Sequence, residues 1–255
     1  MTETTEQKSA TAVYVYGVVP ADVEAESEAR GVGDAEVKII KHGDIGALVS
    51  PVRTDESLGT PEDLTAHAAI LDGTATVAPV LPIRFGAVLT DEDAVVDELL
   101  AEHHDEFAEA LETLEGKAQY VLRGRYEERA ILNEILSENE QLAQLREAIR
   151  GKSEDATRNE RIALGEQINN AIAAKRDADT RRAAELLDRL GLLISVREPT
   201  HEEDALYIAC LGETAKQGDL EEAVDELAKD WEGRVNLRLL GPLAPYDFVV
   251  TKESG

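Results

Sequence analysis

The 255-residue sequence contains a single cysteine, Cys210, so neither an intramolecular disulfide nor a cysteine-based zinc site can form. Cys210 lies in the stretch ALYIACLGE, whose composition predicts a buried strand and an unreactive thiol. Aromatic residues make up only 4% of the chain, so the core must consist mainly of Leu, Val, Ile and Ala. At 43% hydrophobic residues, the chain can bury such a core in one large domain or two small ones.

Positive charge is also scarce, with 26 Lys and Arg against 53 Asp and Glu and a net charge of -27. Neutralising nucleic-acid phosphates or an anionic membrane surface requires an excess of cations, so neither is an expected partner. No run approaches the roughly 18 apolar residues of a membrane span. The first ten residues lack the basic and apolar regions of a signal peptide, which predicts a cytoplasmic protein.

Motifs of catalysis and of cofactor binding are missing from the sequence. It contains no HExxH, GxSxG or Walker A pattern, and GVGDAE lacks the third glycine of a dinucleotide fingerprint. No histidine pair has metal-ligand spacing among the five histidines, which are His42, His67, His103, His104 and His201. Carboxylates are too abundant for a catalytic pair to be chosen by spacing. The sequence therefore predicts a non-enzymatic protein without metal or cofactor.

The N-terminal part reads as an α+β domain over residues 11–115, after a disordered tail at residues 1–10. TAVYVYGVV predicts a strand, and EVKIIKHGDIGALVSPV predicts a hairpin. Thr60 is placed to cap a helix with Leu64, Ala68 and Leu71 on its apolar face. A second helical stretch follows from Asp91, with a broken apolar stripe that includes Leu99.

Residues 91–115 contain eleven acidic residues and no Lys or Arg. A solvated helix face explains this run, and so does an acidic docking surface. Both interpretations stay open on the sequence alone.

The C-terminal part, residues 116–255, follows the order strand, long helical section, strand, strand, helix, strand. That βαββαβ order predicts a ferredoxin-like domain whose first crossover is enlarged by two amphipathic helices packed as an antiparallel pair. The predicted fold class is therefore α+β with two domains, and the boundary lies at Gly116.

Two segments combine proline and glycine with apolar or aromatic residues: APVLPIRFGAVL, residues 78–89, and GPLAPYDFV, residues 241–249. Proline fixes φ and cannot donate to a sheet ladder, so both predict rigid, irregular edges or turns. Arg84 is either a structural residue that needs a partner if buried, or a docking residue at an interface edge. The candidate interaction or signature residues are Pro82, Arg84, Phe85, Gly86, Gly241, Pro242, Pro245, Tyr246 and Phe248.

Four stretches occur in an order that resembles the gas vesicle protein F/L family: VYVYGVV, HAAILDGTATVAPVLPIRFGAVL, GKAQYVLRGRY and LRLLGPLAPYDFV. The resemblance covers nearly the whole chain, although Leu243 and Ala244 replace a Trp-Pro pair of the usual family ending. It implies an accessory or minor structural protein of the gas vesicle that binds the hydrophobic shell protein and other accessory proteins. It also implies two α+β domains, the second a modified ferredoxin fold.

A strand edge beside PVLPIRFG could accept the shell protein by β-augmentation. The alternative to an assembly role is a ferredoxin-like module that binds a small regulatory ligand, or an enzyme of unknown substrate, because fold alone does not decide function.

Overall fold

The computed structural model describes residues 11–25, 29–55, 58–153 and 155–249, and the predicted disordered tail lies outside them. The chain forms two compact units, each with an antiparallel sheet and helices. The first unit contains the described residues up to Gln119, together with residues 213–215 and the segment from Gly241 onwards. The second unit contains Tyr120–Gly212 and Lys216–Leu240.

The sheet of the first unit has the strand order β2-β3-β1-β4, and β5 also pairs with β1. Its strands are β1 (Thr11–Pro20), β2 (Lys38–His42), β3 (Ile45–Arg53), β4 (Leu81–Pro82) and β5 (Val88–Leu89). The predicted hairpin is confirmed, because β2 and β3 pair antiparallel from Lys38 with Val49 to His42 with Ile45. The central strand β1 is buried along almost its whole length.

Helix α1 (Pro61–Ala75) begins at the predicted cap. The Thr60 side chain accepts a hydrogen bond from the Asp63 N–H, and the Asp63 carboxylate accepts one from the Thr60 N–H. This reciprocal pair satisfies two of the backbone donors that a helix start leaves open. The predicted apolar face is wrong at Leu64, which is 49% exposed. Leu71 is buried as predicted, and His67 and Ala75 share the buried face with it.

The second helical stretch consists of α2 (Glu92–Ala94), a π-helical segment (Val95–Ala101) and α3 (His104–Leu114). A π turn accommodates one extra residue, so the apolar stripe shifts by one position. Leu100 is fully buried as a result, whereas Leu99, which the sequence placed in the stripe, is only half-buried.

The second sheet has the order β7-β8-β6-β9. Its strands are β6 (Lys117–Tyr126), β7 (Leu193–Val196), β8 (Asp204–Glu213) and β9 (Val235–Leu243). The described residues also form the α-helices α4 (Glu128–Glu138), α5 (Glu140–Ile149), α6 (Arg158–Arg189) and α7 (Gln217–Asp230). The helix predicted after β6 is divided in two at Asn139, whose side chain accepts from the Leu142 N–H and so caps α5.

Cys210 lies in β8 and is fully buried, as the sequence predicted. Burial raises the pKa of its thiol to about 12, so the thiolate form is negligible at neutral pH. Among the described residues, no helix has both the length and the apolar character needed to cross a membrane.

Candidate functional site

His67 lies in the core of the first unit, on the buried face of α1. The hydroxyl of Tyr14 lies 2.9 Å from its Nδ1, and the hydroxyl of Tyr246 lies 3.0 Å from its Nε2. A neutral imidazole has one donor and one acceptor nitrogen, and a tyrosine hydroxyl can serve either. His67 is therefore a fully bonded core residue that joins β1, α1 and the C-terminal segment.

Aromatic rings enclose the imidazole. The Tyr16 ring is stacked on it with 5.6 Å between ring centroids, and the Phe85 ring meets it edge-on at 5.5 Å. Edge-to-face and offset-stacked pairs of this kind add stability beyond the area they bury. We call this group the His67 cluster: Tyr14, Tyr16, His67, Phe85 and Tyr246.

The proline-containing segment 78–89 forms an irregular outer edge of the first sheet. Pro82 is buried in β4, and the Ile83 N–H continues the pairing by donating to the Tyr16 carbonyl at 2.8 Å. β4 lies this close to β1 only because residue 17 is glycine. A Cβ there would lie 2.7 Å from the Leu81 carbonyl oxygen. In the described part of the chain, no strand pairs with the far side of β4.

Within this segment, the neighbouring residues Arg84 and Phe85 lie in different environments. Phe85 is half-buried in the His67 cluster, whereas Arg84 is exposed. Gly86 has a φ of +93°, which only glycine adopts readily, and its N–H donates to the Tyr14 hydroxyl at 3.1 Å. Phe85 and Gly86 thus hold the backbone of the edge against the core.

The C-terminal segment 241–249 packs into the same unit. Gly241 has a φ of +139° and precedes Pro242, and Pro245 is buried. Tyr246 is 42% exposed but reaches the cluster through its hydroxyl. The Phe248 N–H donates to the Pro245 carbonyl at 3.0 Å, which closes a tight turn.

Backbone contacts anchor this segment on either side of Tyr246. The Ala244 N–H donates to Asp72 Oδ1 at 2.9 Å, and the Asp247 N–H donates to Gln119 Oε1 at 3.0 Å. Ala244 is fully buried in the core that contains Tyr14 and Tyr16, in a position where the resemblance had suggested a larger residue. The two unusual segments of the sequence are therefore brought together at His67.

Burial controls the ionisation of the cluster. It raises the pKa of Tyr14 to about 12, raises the pKa values of Tyr16 and Tyr246, and lowers the pKa of His67. Each shift favours the neutral form, as expected when a charged form is desolvated. The cluster at neutral pH is therefore a set of uncharged, mutually bonded groups.

This arrangement is suited to structure rather than to chemistry. A base needs a free lone pair, but both nitrogens of His67 face tyrosine hydroxyls. The described residues include no group of three or more His, Cys, Asp or Glu that could hold a metal ion. The sequence patterns predicted no role for His67, although its spacing from Leu71 and Ala75 places it on the same helix face.

A charged network occupies the second unit. Arg234 donates to both carboxylate oxygens of the buried Asp179, at 3.1 and 2.8 Å, and to Glu134 at 2.6 Å. Tyr126 donates to Asp179 at 2.6 Å, and Lys175 donates to Glu134 at 2.6 Å. These partners lower the pKa of Glu134 against the effect of desolvation and raise the pKa of Arg234.

A groove of about 590 Å³ lies beside this network, between α4, α6 and the loop at residues 199–203. Ile131, Leu132, Ile168 and Ile172 supply its apolar walls. Its volume suits a small molecule. A small-ligand function in this unit nevertheless remains a prediction from the sequence.

The sequence matches the family described as "Gas vesicle synthesis protein GvpL/GvpF" over residues 12–250. Gas vesicle protein F of Streptomyces sp. (strain CB03234) is 31% identical over 241 residues, covering 92% of this chain and 98% of that protein. Gas vesicle protein L of the same strain is 30% identical over 267 residues, covering 94% and 93% respectively.

Solved structures share the fold. The crystal structure of the gas vesicle protein GvpF from Anabaena sp. PCC7120 superimposes with a TM-score of 0.78 at 20% identity, covering 94% of this chain and 99% of that one. The structure of GvpF from Microcystis aeruginosa gives a TM-score of 0.74 at 20% identity, covering 93% and 98%. The resemblance found in the sequence motifs is confirmed, and the chain belongs to the GvpL/GvpF family of gas vesicle proteins.

Proposed function

We propose that this protein is a non-enzymatic assembly factor that binds the hydrophobic gas vesicle shell protein, together with other accessory proteins, while the vesicle forms. The observation that carries the proposal is the family match across residues 12–250. The protein would act in the cytoplasm and at the growing gas vesicle. A protein that stays in the vesicle wall and one that acts only transiently during assembly would both fit this role.

The charge of the chain suits such a role. A shell subunit with a large apolar surface aggregates unless a soluble partner covers it. A net charge of -27 would keep the resulting complex dispersed through repulsion between copies.

The outer edge of the first sheet is one candidate surface for the shell protein. β4 and β5 offer a sheet edge on which an extended segment could add as a further strand. In this proposal the exposed Arg84 lies at the binding edge, and Phe85 and Tyr246 hold the edge in place from behind. The remaining signature residues Pro82, Gly86, Gly241, Pro242, Pro245 and Phe248 shape the backbone.

We also propose that the C-terminal domain, residues 116–255, is a modified ferredoxin fold that follows an N-terminal domain at residues 11–115. Support comes from the second sheet, whose order β7-β8-β6-β9 is second-third-first-fourth in chain order, with helices in both crossovers. The C-terminal segment 241–249 would be the exception, since it packs into the core of the first unit.

Co-expression with the shell protein tests the proposed function. The tagged chain is expected to hold shell protein in the supernatant after centrifugation and to co-elute with it from an affinity column. An unrelated acidic protein of similar size and net charge is the control. Shell protein that pellets to the same extent with either protein, and that never co-elutes with this chain, would contradict the proposal.

A further inference from the structure

Besides the outer sheet edge at β4 and β5, the first unit carries a surface groove of about 590 Å³. None of the signature residues lines this groove. It is lined by Pro20 and residues 22–24, by residues 44–45 at the β2–β3 turn, by residues 77–79 after α1, and by helix α3 with Glu115. We call it the acidic groove.

Apolar side chains form the floor of the acidic groove. Ile45 and Leu111 are buried beneath it, and Val23 and Pro79 are half-buried in its walls. Val77 also lines it and is 81% exposed, the highest exposure among the large hydrophobic side chains of the described residues. One exposed valine is ordinary, but a valine set in an apolar groove leaves a continuous surface that a partner side chain could cover.

Carboxylates surround that floor. Asp22, Glu24, Asp44, Glu112 and Glu115 line the groove, and the described lining residues include no Lys or Arg. Asp44 has a partner outside the lining, because His104 Nε2 lies 2.7 Å from its Oδ1. Carboxylates clustered around an apolar cleft focus a negative potential into it.

The end of α3 strengthens this field. The last turn of the helix contains Glu112 and no basic residue, and Glu115 follows directly. A helix C-terminus carries partial negative charge and is stabilised by cations, so acidic residues there oppose the stability of the helix. Lys117 Nζ donates to the Thr113 carbonyl at 2.8 Å and offsets part of this repulsion, and a cation supplied by a partner would offset more of it. The acidic stretch of residues 91–115, which the sequence left open as either a solvated face or a docking surface, ends at this point.

We propose that the acidic groove binds an amphipathic segment of a partner protein in which Lys or Arg flanks an apolar side chain. The apolar side chain covers Val77 and Pro79, and the cations approach Glu112 and Glu115. This inference rests on the proposed function, since the shell protein is the partner to which we assign the segment. Charge complementarity selects this occupant over an acidic or uncharged one.

Two variants of the groove and one matched control test the proposal. Val77→Asp places a charge in the apolar wall of the groove, and the exposed position of Val77 leaves the core intact. Glu112→Lys with Glu115→Lys reverses the rim, at two exposed positions. Glu222→Lys with Glu226→Lys makes the same charge change on the exposed face of α7 in the second unit and serves as the control. Thermal unfolding first establishes that all three proteins fold.

The probes are the intact shell protein in co-purification and overlapping peptides that cover its sequence in fluorescence anisotropy. We expect the wild type to bind a peptide with Lys or Arg beside apolar residues. Each groove variant should weaken that binding roughly tenfold or more, and the control variant less than about twofold. Added salt should weaken wild-type binding more than binding by the rim variant, because screening acts on the exposed charges.

The outcomes separate the two proposals. If the wild type captures shell protein and the groove variants capture it equally well, the groove proposal is overturned and the proposed function stands. If the wild type captures no shell protein, both the groove proposal and the proposed function are overturned. Binding confined to peptides without Lys or Arg also overturns the groove proposal. So does a wild-type dimer that both groove variants dissociate, because the groove would then belong to a second copy of this chain.

Discussion

The hydroxyl of Tyr246 lies 3.0 Å from Nε2 of His67, across 179 positions of sequence. This contact joins the C-terminal segment to helix α1 in the core of the first unit. The Ala244 N–H bonded to Asp72 holds the same segment two residues earlier. The last part of the chain is therefore a component of the first unit, and its anchoring is open to direct measurement.

Tyr246→Phe keeps the ring and removes the hydroxyl that bonds His67. One nitrogen of a buried imidazole loses its partner, so we expect the free energy of unfolding to fall by about 1–3 kcal/mol. Urea denaturation followed by far-UV circular dichroism measures the change. An unshifted midpoint would mean that this hydrogen bond contributes nothing to stability.

The lowered pKa of His67 predicts a pH dependence. In the unfolded chain the histidine has a pKa of about 6.5, so below that pH the unfolded state binds the proton more readily than the folded one. The stability that neutral His67 contributes should therefore be fully present above about pH 6.5. It should decline as the pH falls towards the folded-state pKa of His67. Urea titrations at a series of pH values measure this decline, and His67→Gln should flatten it.

Titration of His104 also changes stability with pH and would overlap the signal from His67. Hydrogen bonding to Asp105, with a further contribution from Asp44, raises the pKa of His104. The pH dependence due to His104 has the opposite sign to that of His67. The stability contributed by protonated His104 is present below the pKa of the unfolded state and is lost as the pH rises through the pKa of the folded state. Both proteins should therefore carry His104→Asn. A decline of equal size with and without His67 would refute the assignment.

Arg234→Met removes the central cation of the network in the second unit. Asp179 is 8% exposed and would lose both hydrogen bonds from Arg234 while keeping the one from the Tyr126 hydroxyl, so we expect the free energy of unfolding to fall by about 3–5 kcal/mol. Lys175→Met should be milder, because Glu134 keeps Arg234 and Glu138 is exposed. Fluorescence of Trp231, the single tryptophan, reports unfolding of this unit. Equal losses in the free energy of unfolding for the two variants would mean that Arg234 is no more important to the network than Lys175.

The outer sheet edge is tested by a pair of neighbouring substitutions. Phe85→Ala removes a ring from the His67 cluster and should lower the free energy of unfolding by about 1–3 kcal/mol. Arg84→Glu should lower the free energy of unfolding by less than about 1 kcal/mol, because interactions of an exposed charged side chain contribute little to stability, and should reduce co-purification of the shell protein. Lys229→Glu on α7 is the matched charge control. If Arg84→Glu captures shell protein as well as this control does, the edge is not the binding surface.

Local patterns predicted the elements well. The hairpin, the Thr60 cap, the strand of Cys210 and the βαββαβ element order of the C-terminal part all follow from signals within about ten residues. Each depends on a periodicity, a cap or a turn, which short-range sequence encodes.

Contacts between distant residues explain what the sequence missed. The buried face of α1 was expected to contain Leu64, but His67 lies there because Tyr14 and Tyr246 satisfy its polar atoms. The one-residue shift from Leu99 to Leu100 depends on a π turn that the apolar pattern does not reveal. The return of residues 241–249 to the first unit likewise rests on long-range bonds to Asp72 and Gln119.

Deletion of the gene in a vesicle-forming host is the most direct test of the central claim that this protein serves gas vesicle assembly. We expect the deletant to lose buoyancy, electron microscopy to find no vesicles or only malformed ones, and the gene supplied in trans to restore normal vesicles. Normal numbers of normally shaped vesicles in the deletant would contradict it.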